Sequence, residues 1–257
     1  IKNIMNVRIS AVIITFNEER NIVRCLKSLE GIVDEIVVVD SFSTDRTESL
    51  CMPFGVRYLT HTFEGHIQQK AWAAAQASSD YVLSLDADEV LSEELRESIL
   101  RVKSNWQADG YSFNRLTNYM GKWIRHGGWY PDVKLRLWDR RKGNWGGVNP
   151  HDKIIMQEGT RVSKLKGDLL HYSYYSFKQH LNQINGFTEI AAREGLARGK
   201  NTNMMVIIFK TIWKFKRDYI FKLGFLDGTA GFLVCYFSAH ATFVKYLKIR
   251  ELKKAGM

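Results

Sequence analysis

At 257 residues and 45% hydrophobic, the chain suits one large α/β domain, or one domain with an appendage. Three scattered cysteines, Cys25, Cys51 and Cys235, exclude a paired zinc spacing and point to a reducing compartment. The net charge of +10 is concentrated at one end, since residues 198–257 hold 12 Lys/Arg against 3 Asp/Glu. There the basic residues alternate with Ile, Phe, Trp, Tyr and Leu, which suits an anionic membrane surface better than a nucleic acid. No signal-peptide pattern is visible, because the apolar run at residues 9–16 is short and meets Asn17 and Glu18 directly.

In chain order, residues 9–15 read as a strand apolar on both faces, as a covered parallel sheet requires. A helix follows with Ile22, Leu26 and Leu29 on one side, closed by Gly31. Residues 35–40 form a second strand and 56–59 a weak third. An Ala-rich helix at 67–77 precedes a buried strand at 81–85, and Ser92 caps a helix at 93–103. Strands alternating with helices at this pitch mean βαβ units and a parallel sheet. The middle, 110–172, has short strand-like runs at 111–115, 133–138 and 153–157, and five of the seven tryptophans lie between Trp106 and Trp145. Helical spacing returns at 177–195, 204–221 and 232–252.

The stretch Asp86-Ala87-Asp88-Glu89 ends the 81–85 strand. Carboxylates at i and i+2 can share one Mg²⁺ or Mn²⁺, which would hold a diphosphate; an exposed acidic turn is the plain alternative. The first strand ends in Thr15-Phe16-Asn17-Glu18, able to hydrogen-bond a base or ribose, or to cap the next helix through Asn17. Asp40-Ser41-Phe42-Ser43-Thr44-Asp45 ends the second strand, where open α/β sheets bind ligands. Asp40 can accept from uracil N3–H or a ribose hydroxyl, or the segment can be a capping turn. Lys70, on the helix before the DxD strand, is a candidate for a phosphate, with a solvated lysine as the plain alternative, and Arg136 is another, with a cross-strand ion pair as its alternative. Polar groups on three strand ends are what a crevice for a nucleotide diphosphate requires.

With these motifs in this order, the chain resembles the family-two glycosyltransferases of GT-A fold, from about Val7 to Lys254. More narrowly, it looks like the bacterial branch that adds sugars to the lipopolysaccharide inner core. The resemblance implies a GT-A-like, mostly parallel Rossmann-like α/β sheet flanked by helices, with a C-terminal helical extension. It divides the chain into a transferase domain at 1–197 (nucleotide-sugar half 1–105, acceptor half 106–197) and a basic amphipathic tail at 198–257. It assigns Thr15, Asn17, Glu18 and Asp40 to donor binding, with Asp45 in support, and the residue reading adds Lys70, Asp86 and Arg136 to that set. Asp88 becomes the direct Mg²⁺ or Mn²⁺ ligand with Asp86 nearby; His171, at a strand end, is a candidate to complete the shell, with a structural histidine as the plain alternative. In the segment Trp145-Gly146-Gly147-Val148-Asn149-Pro150-His151-Asp152, Asp152 stands where the branch usually has Glu, as the base of an inverting transfer.

The implied partners are a nucleotide-diphosphate sugar, with UDP favoured, a lipid-linked glycan and the anionic inner face of the bacterial inner membrane. A homodimer is the alternative use of the tail. A rival enzyme reading is a HAD-type phosphatase, since Leu85-Asp86-Ala87-Asp88-Glu89-Val90 fits its DxDx[TV] pattern, with Asp86 as nucleophile and Asp88 as acid. A membrane-bound nucleotide-binding protein without turnover is the third reading.

Overall fold

The computed structural model describes residues 6–148, 151–200 and 203–255, with backbone alone at Val148 and His151. It divides into two compact units, Ile1–Arg115 with Asp132–Tyr172, and Leu116–Pro131 with Ser173–Met257. The division expected at 197/198 falls inside the second unit.

The first unit follows the βα alternation legible in the sequence. Its elements are β1 (Ile9–Thr15), α1 (Ile22–Leu29), β2 (Glu35–Asp40), α2 (Thr47–Cys51), β3 (Arg57–Thr60), α3 (His66–Gln76) and β4 (Tyr81–Asp86). Then come β5 (Glu89–Leu91), α4 (Glu93–Ser104), β6 (Gly110–Tyr119), whose end together with β7 (Lys122–Trp123) falls in the second unit, and β8 (Asp132–Asp139). The strands finish with β9 (Gly143–Val148), β10 (His151–Met156) and β11 (Val162–Tyr174). Strands β3, β2, β1 and β4 are parallel neighbours. Their register decides where the site lies: Thr15 pairs with Asp40, Ile14 with Asp86 and Asp40 with Thr60, so the carboxyl ends of four strands form one ledge. Beyond β4 the sheet continues through antiparallel β8 and β6 to β11 and β5, while β9 and β10 form a separate hairpin.

Alternation along β1 sends Ile9, Ala11 and Ile13 to one face, where they meet Leu26, Leu29, Leu83 and Leu95. Val12 goes to the other face, with Val37, Val39, Ala73, Trp138 and Trp145. Both layers exclude water, and truncating a fully buried member such as Leu26 to Ala costs about 2–5 kcal/mol. Ser92 caps α4 as its sequence suggests, its Oγ accepting from Leu95 N at 3.3 Å, with Glu93 and Glu94 in the first turn. Strand β11 crosses that helix end at Gly167, where an added Cβ would lie 2.3 Å from Leu95 N.

The second unit is mainly helical: α5 (Phe177–Ala197), α6 (Met204–Lys216) and α7 (Gly228–Lys254). Ala192 of α5 packs with Ile249 and Leu252 of α7. After α6 a π turn (Arg217–Phe221) and a 3-10 turn (Gly224–Asp227) bend the path by 71°. The elbow is tight, because a Cβ on Gly231 would fall 1.9 Å from Gly224 O. Asp218, 1% exposed at the π turn, is neutralised by Lys214 at 2.6 Å and Arg217 at 2.9 Å. Among the described residues no single helix is long and apolar enough to cross a membrane; the bent pair meets the length and composition together.

Candidate active site

The loops that leave β1 and β2 are laced together. Asn17 N donates to Ser43 Oγ at 2.7 Å, and Asn17 Oδ1 accepts from Thr44 N at 2.8 Å. Glu18 N donates to Thr47 Oγ1 at 2.8 Å, while Asp45 accepts from Glu19 N at 3.0 Å and Thr47 N at 2.9 Å. Asn17 therefore does not cap α1. It sits in the left-handed region (φ 53°), and the N-cap position falls to Asn21. Buried Asp40 accepts from Ser43 N at 2.7 Å and from the Ser43 hydroxyl, as the capping-turn reading allows. Asn17, Asp40 and Asp45 thus build the wall of the ledge. Thr15 Oγ1 is buried and, among the described residues, lacks a hydrogen-bond partner. Phe16 and Phe42, 57% and 58% exposed on these loops, were not singled out from the sequence. Their signal is an aromatic in each of two polar turns.

At the end of β4, opposite charges are interleaved. Lys70 of α3 is buried, and its Nζ lies 2.9 Å from Asp86 Oδ1 and 2.8 Å from Asp152 Oδ2 on β10. Arg136 of β8, also buried, reaches Asp86 Oδ2 and Glu89 Oε1, each at 3.2 Å. Glu89 is fully buried and its Oε2 accepts from Asp86 N at 2.9 Å, while Arg115 Nη1 lies 3.5 Å from the same Oε1 that Arg136 reaches. Both Lys70 and Arg136 pack over the Trp145 ring, 4.9 and 5.2 Å from its centroid. Burial pushes the Asp86 carboxyl up, but Lys70 and Arg136 outweigh it and hold the group far below the ordinary range. Against its own burial, Asp152 is likewise lowered by Lys70.

Lys70 and Arg136, read from the sequence as phosphate contacts, are thus committed to carboxylates. A lysine this buried requires a counter-charge, and two acids supply it. Glu89, read from the sequence only as part of the acidic stretch, and Arg115, not singled out, complete the network. The spacing Asp86/Glu89 is visible in the sequence, but the cations arrive on separate strands.

Asp88 stands apart from Lys70 and Arg136. Its Oδ2 lies 3.2 Å from His171 Nε2, and its carbonyl accepts from Tyr172 N at 2.9 Å. The pairing of β5 with β11, which sets His171 against Glu89, brings the imidazole there. Nearby Glu18 is raised to about 7, first by burial and then by the charges of Asp88, Asp45 and Asp86, against one hydrogen bond from Asn21. Negative charge in excess, beside a carboxylate and an imidazole, fits a divalent cation. Among the described residues no group of three His, Cys, Asp or Glu could hold a metal. Two protein donors, with phosphate oxygens and water completing the shell, is how Mg²⁺ is commonly held. The carboxylate free for that role is Asp88, since Asp86 is enclosed by Lys70 and Arg136.

The model of the glycosyl transferase family 2 matches residues 10–166, which contain the ledge and the carboxylate network. The chain belongs to this family. Membership makes it a glycosyltransferase with the GT-A-like α/β fold that the resemblance implied, and displaces the phosphatase reading. An uncharacterised glycosyltransferase of Rickettsia typhi is 29% identical over 255 residues, covering 95% of this chain and 87% of its own. The lipopolysaccharide core biosynthesis glycosyltransferase LpsC of Rhizobium meliloti is 28% identical over 254 residues, covering 95% and 92%. Among solved structures, S. aureus TarS aligns with 85% of this chain and 45% of its own at 15% identity and a TM-score of 0.46. Glucosyl-3-phosphoglycerate synthase of Mycobacterium tuberculosis, crystallised with Mn²⁺ and UDP-glucose, covers 44% of each chain at 24% identity and a TM-score of 0.37.

Proposed function

We propose that this glycosyltransferase is an inverting, metal-dependent enzyme that uses a nucleotide-diphosphate sugar, with UDP favoured. Its acceptor is a hydroxyl of a lipid-linked glycan such as lipopolysaccharide core, the process named for the Rhizobium relative. The observation that carries the reading is the Asp86–Lys70–Asp152 bridge. It holds Asp152 of β10, where the resemblance sets the base, beside the DxD, which supports reading the ledge and the base as one site.

In this reading the nucleotide lies along the ledge at Thr15, Asn17, Glu18, Asp40 and Asp45, with Phe16 and Phe42 offering faces to the base. Asp88 and His171 would hold the cation, which supplies charge to stabilise the departing diphosphate. Asp152 takes the acceptor proton as the hydroxyl oxygen attacks the anomeric carbon. The bond to the diphosphate breaks on the opposite face, and its electron pair leaves with the phosphate. Lys70 keeps Asp152 ionised and aims it; when Asp152 gains the proton, Lys70 retains Asp86 as its partner. Arg136 and Glu89 fix Asp86 in place.

We infer from the basic, aromatic second unit that the enzyme works on the cytoplasmic face of the inner membrane, as a peripheral protein. Its exposed Met205, Phe209 and Trp213 on α6 support this use. The test is a thermal-shift series of UDP-, GDP-, ADP- and dTDP-sugars with and without Mn²⁺, followed by transfer assays on lipopolysaccharide core fragments. Stabilisation by a UDP-sugar only when Mn²⁺ is present is expected. Equal stabilisation in EDTA would overturn metal dependence.

A further inference from the structure

The second unit carries a concavity of its own, with a volume of about 380 Å³. That size lies within the roughly 300–1,000 Å³ of small-molecule sites. Arg125, His126 and Tyr130 line one side, and Phe221, Lys222 and Leu223 the other. Among the described residues neither Arg125 nor Lys222 has a carboxylate ion-pair partner, although Lys214 and Arg217 of the same unit share Asp218.

The nearest acid in this loop system is already used. Buried Asp227 accepts from Arg125 N at 2.9 Å, His126 N at 2.8 Å and His126 Nδ1 at 2.9 Å. It fixes the loop backbone and the imidazole, and leaves the guanidinium without a counter-charge. Gly127 N donates to Lys222 O at 2.9 Å, which ties the two walls together. Gly128, at φ +82°, lies under the lysine: an added Cβ would sit 2.8 Å from Lys222 Nζ and 2.9 Å from its Cδ. A residue with a side chain would push the ammonium away. Leu223 adopts a left-handed backbone (φ 56°), which an unbranched-β residue other than glycine seldom does without a reason. That turn leaves Leu223 45% and Phe221 68% exposed at the pocket's edge.

Two uncompensated cations beside an exposed apolar edge call for an anion carried on an amphiphile. A guanidinium fork with an ammonium point charge suits phosphate oxygens. We propose that this pocket binds the phosphate group of a membrane amphiphile, with Arg125 and Lys222 on its oxygens and Phe221 and Leu223 against its apolar part. The assignment rests on the membrane reading above and gives it a specific contact.

The test uses the full chain and three probes: short-chain dihexanoyl phosphatidic acid below its micellar concentration, inorganic phosphate, and phosphatidylcholine vesicles with or without phosphatidic acid. Calorimetry on the intact protein should show binding of the short-chain lipid. Arg125→Ala/Lys222→Ala should weaken it at least about tenfold, as loss of two charge-assisted hydrogen bonds implies. Lys253→Ala/Lys254→Ala removes equal charge from the exposed end of α7 and should change it less than about twofold. Gly128→Ala, which keeps all charges, should weaken binding as well. Equal losses in the two double variants would overturn the pocket in favour of diffuse attraction. Inorganic phosphate binding as tightly as the lipid would overturn the amphiphile and leave a soluble phosphate ester as ligand. Indifference of the intact protein to vesicles, with the soluble lipid still bound through Arg125 and Lys222, would overturn membrane docking alone. Mn²⁺-dependent stabilisation by UDP-sugar, recorded on the same variants, reports separately on the transferase reading.

Discussion

The ledge of the first unit and the elbow of the second handle charge in opposite ways. Around Asp86 the buried acids and bases are interleaved, Lys70 and Arg136 between Asp86, Glu89 and Asp152, so each desolvated charge meets its opposite. At the elbow, Arg125 and Lys222 stay in solvent without a carboxylate partner among the described residues, and apolar side chains stay exposed beside them. A dense, compensated network fixes geometry, as chemistry on a small substrate demands. An uncompensated basic edge with exposed apolar side chains suits the anionic group of an amphiphile. Under the proposed function the two units have different partners, and each prediction probes one side of that contrast.

The largest effect is expected at the one DxD acid outside the compensated network. Asp88→Asn should reduce sugar transfer to background while the fold persists, and EDTA should do the same to the unaltered protein. Measured by nucleotide release from the donor, full activity under either condition would remove Asp88 from the metal site. Next comes Asp152→Asn, expected to lower kcat by about 10²–10⁴ while the donor still stabilises the protein. A parallel loss of donor affinity would make Asp152 a structural partner of Lys70 and nothing more.

Lys70→Met tests compensation directly. It leaves Asp86 and Asp152 facing each other without the shared ammonium, so stability should fall by about 3–5 kcal/mol in urea unfolding. Adding Asp152→Asn to that variant should restore part of the loss, because one of the two stranded charges is gone. Without any restoration, the bridge contributes packing rather than charge balance.

Much of this side of the comparison was legible in the sequence. The runs Ile9–Thr15 and Glu35–Asp40 became β1 and β2 without change, because parallel strands covered on both faces have to be continuously apolar. Asp86, Asp88 and Asp152 were identified, and β4 and β10 bring Asp86 and Asp152 to one lysine. The sequence did not reveal what Lys70 and Arg136 face. Their partners lie 82 and 47 residues away, at Asp152 and Glu89, and only the antiparallel return of β8 and the β9–β10 hairpin brings them together. Asn17 could not be assigned to a turn or to a ligand from local propensity, since its loop-to-loop bonds span 26 and 27 residues, whereas Asp40 makes the local turn to Ser43 that the capping-turn reading allows. The pocket at Arg125 and Lys222 had no local signal at all. It depends on the left-handed turns at Gly127, Gly128 and Leu223.

Glu18 gives the ledge a pH signature. Its carboxyl is raised from 4.5 to about 7, chiefly by burial, so between those values the folded chain keeps a proton that the unfolded chain releases. Stability from this group is complete below pH 4.5 and is lost as pH rises through about 7. Glu18→Gln should flatten the decline in Tm across that window, with the rest of the profile retained. An unchanged profile would mean that another group sets it.

The smallest effect is expected on the exposed side, and the structure tells why. The tail's charge excess overstates its pull on a membrane. Lys214 and Arg217 are spent on Asp218, Lys248 lies 3.4 Å from Glu189, and Lys210 donates to the Tyr246 hydroxyl at 3.2 Å. Each basic residue left near an anionic leaflet contributes about 1 kcal/mol, screened over ~8 Å at physiological salt. Aromatic insertion is not screened, and on α6 Phe209 and Trp213 are 68% and 49% exposed, on the stripe that also holds Ile212 and Ile220. Phe209→Ser/Trp213→Ser should therefore lower partitioning onto anionic vesicles by about fivefold at low salt, since a partly inserted aromatic gains only part of its full burial energy. At high salt the same variant should lose binding almost entirely, while the unaltered protein keeps some. The salt dependence decides the matter: if both proteins respond to salt alike, the exposed stripe does not insert. A concentration-dependent dimer that the same substitutions dissociate would assign α6 to self-association instead.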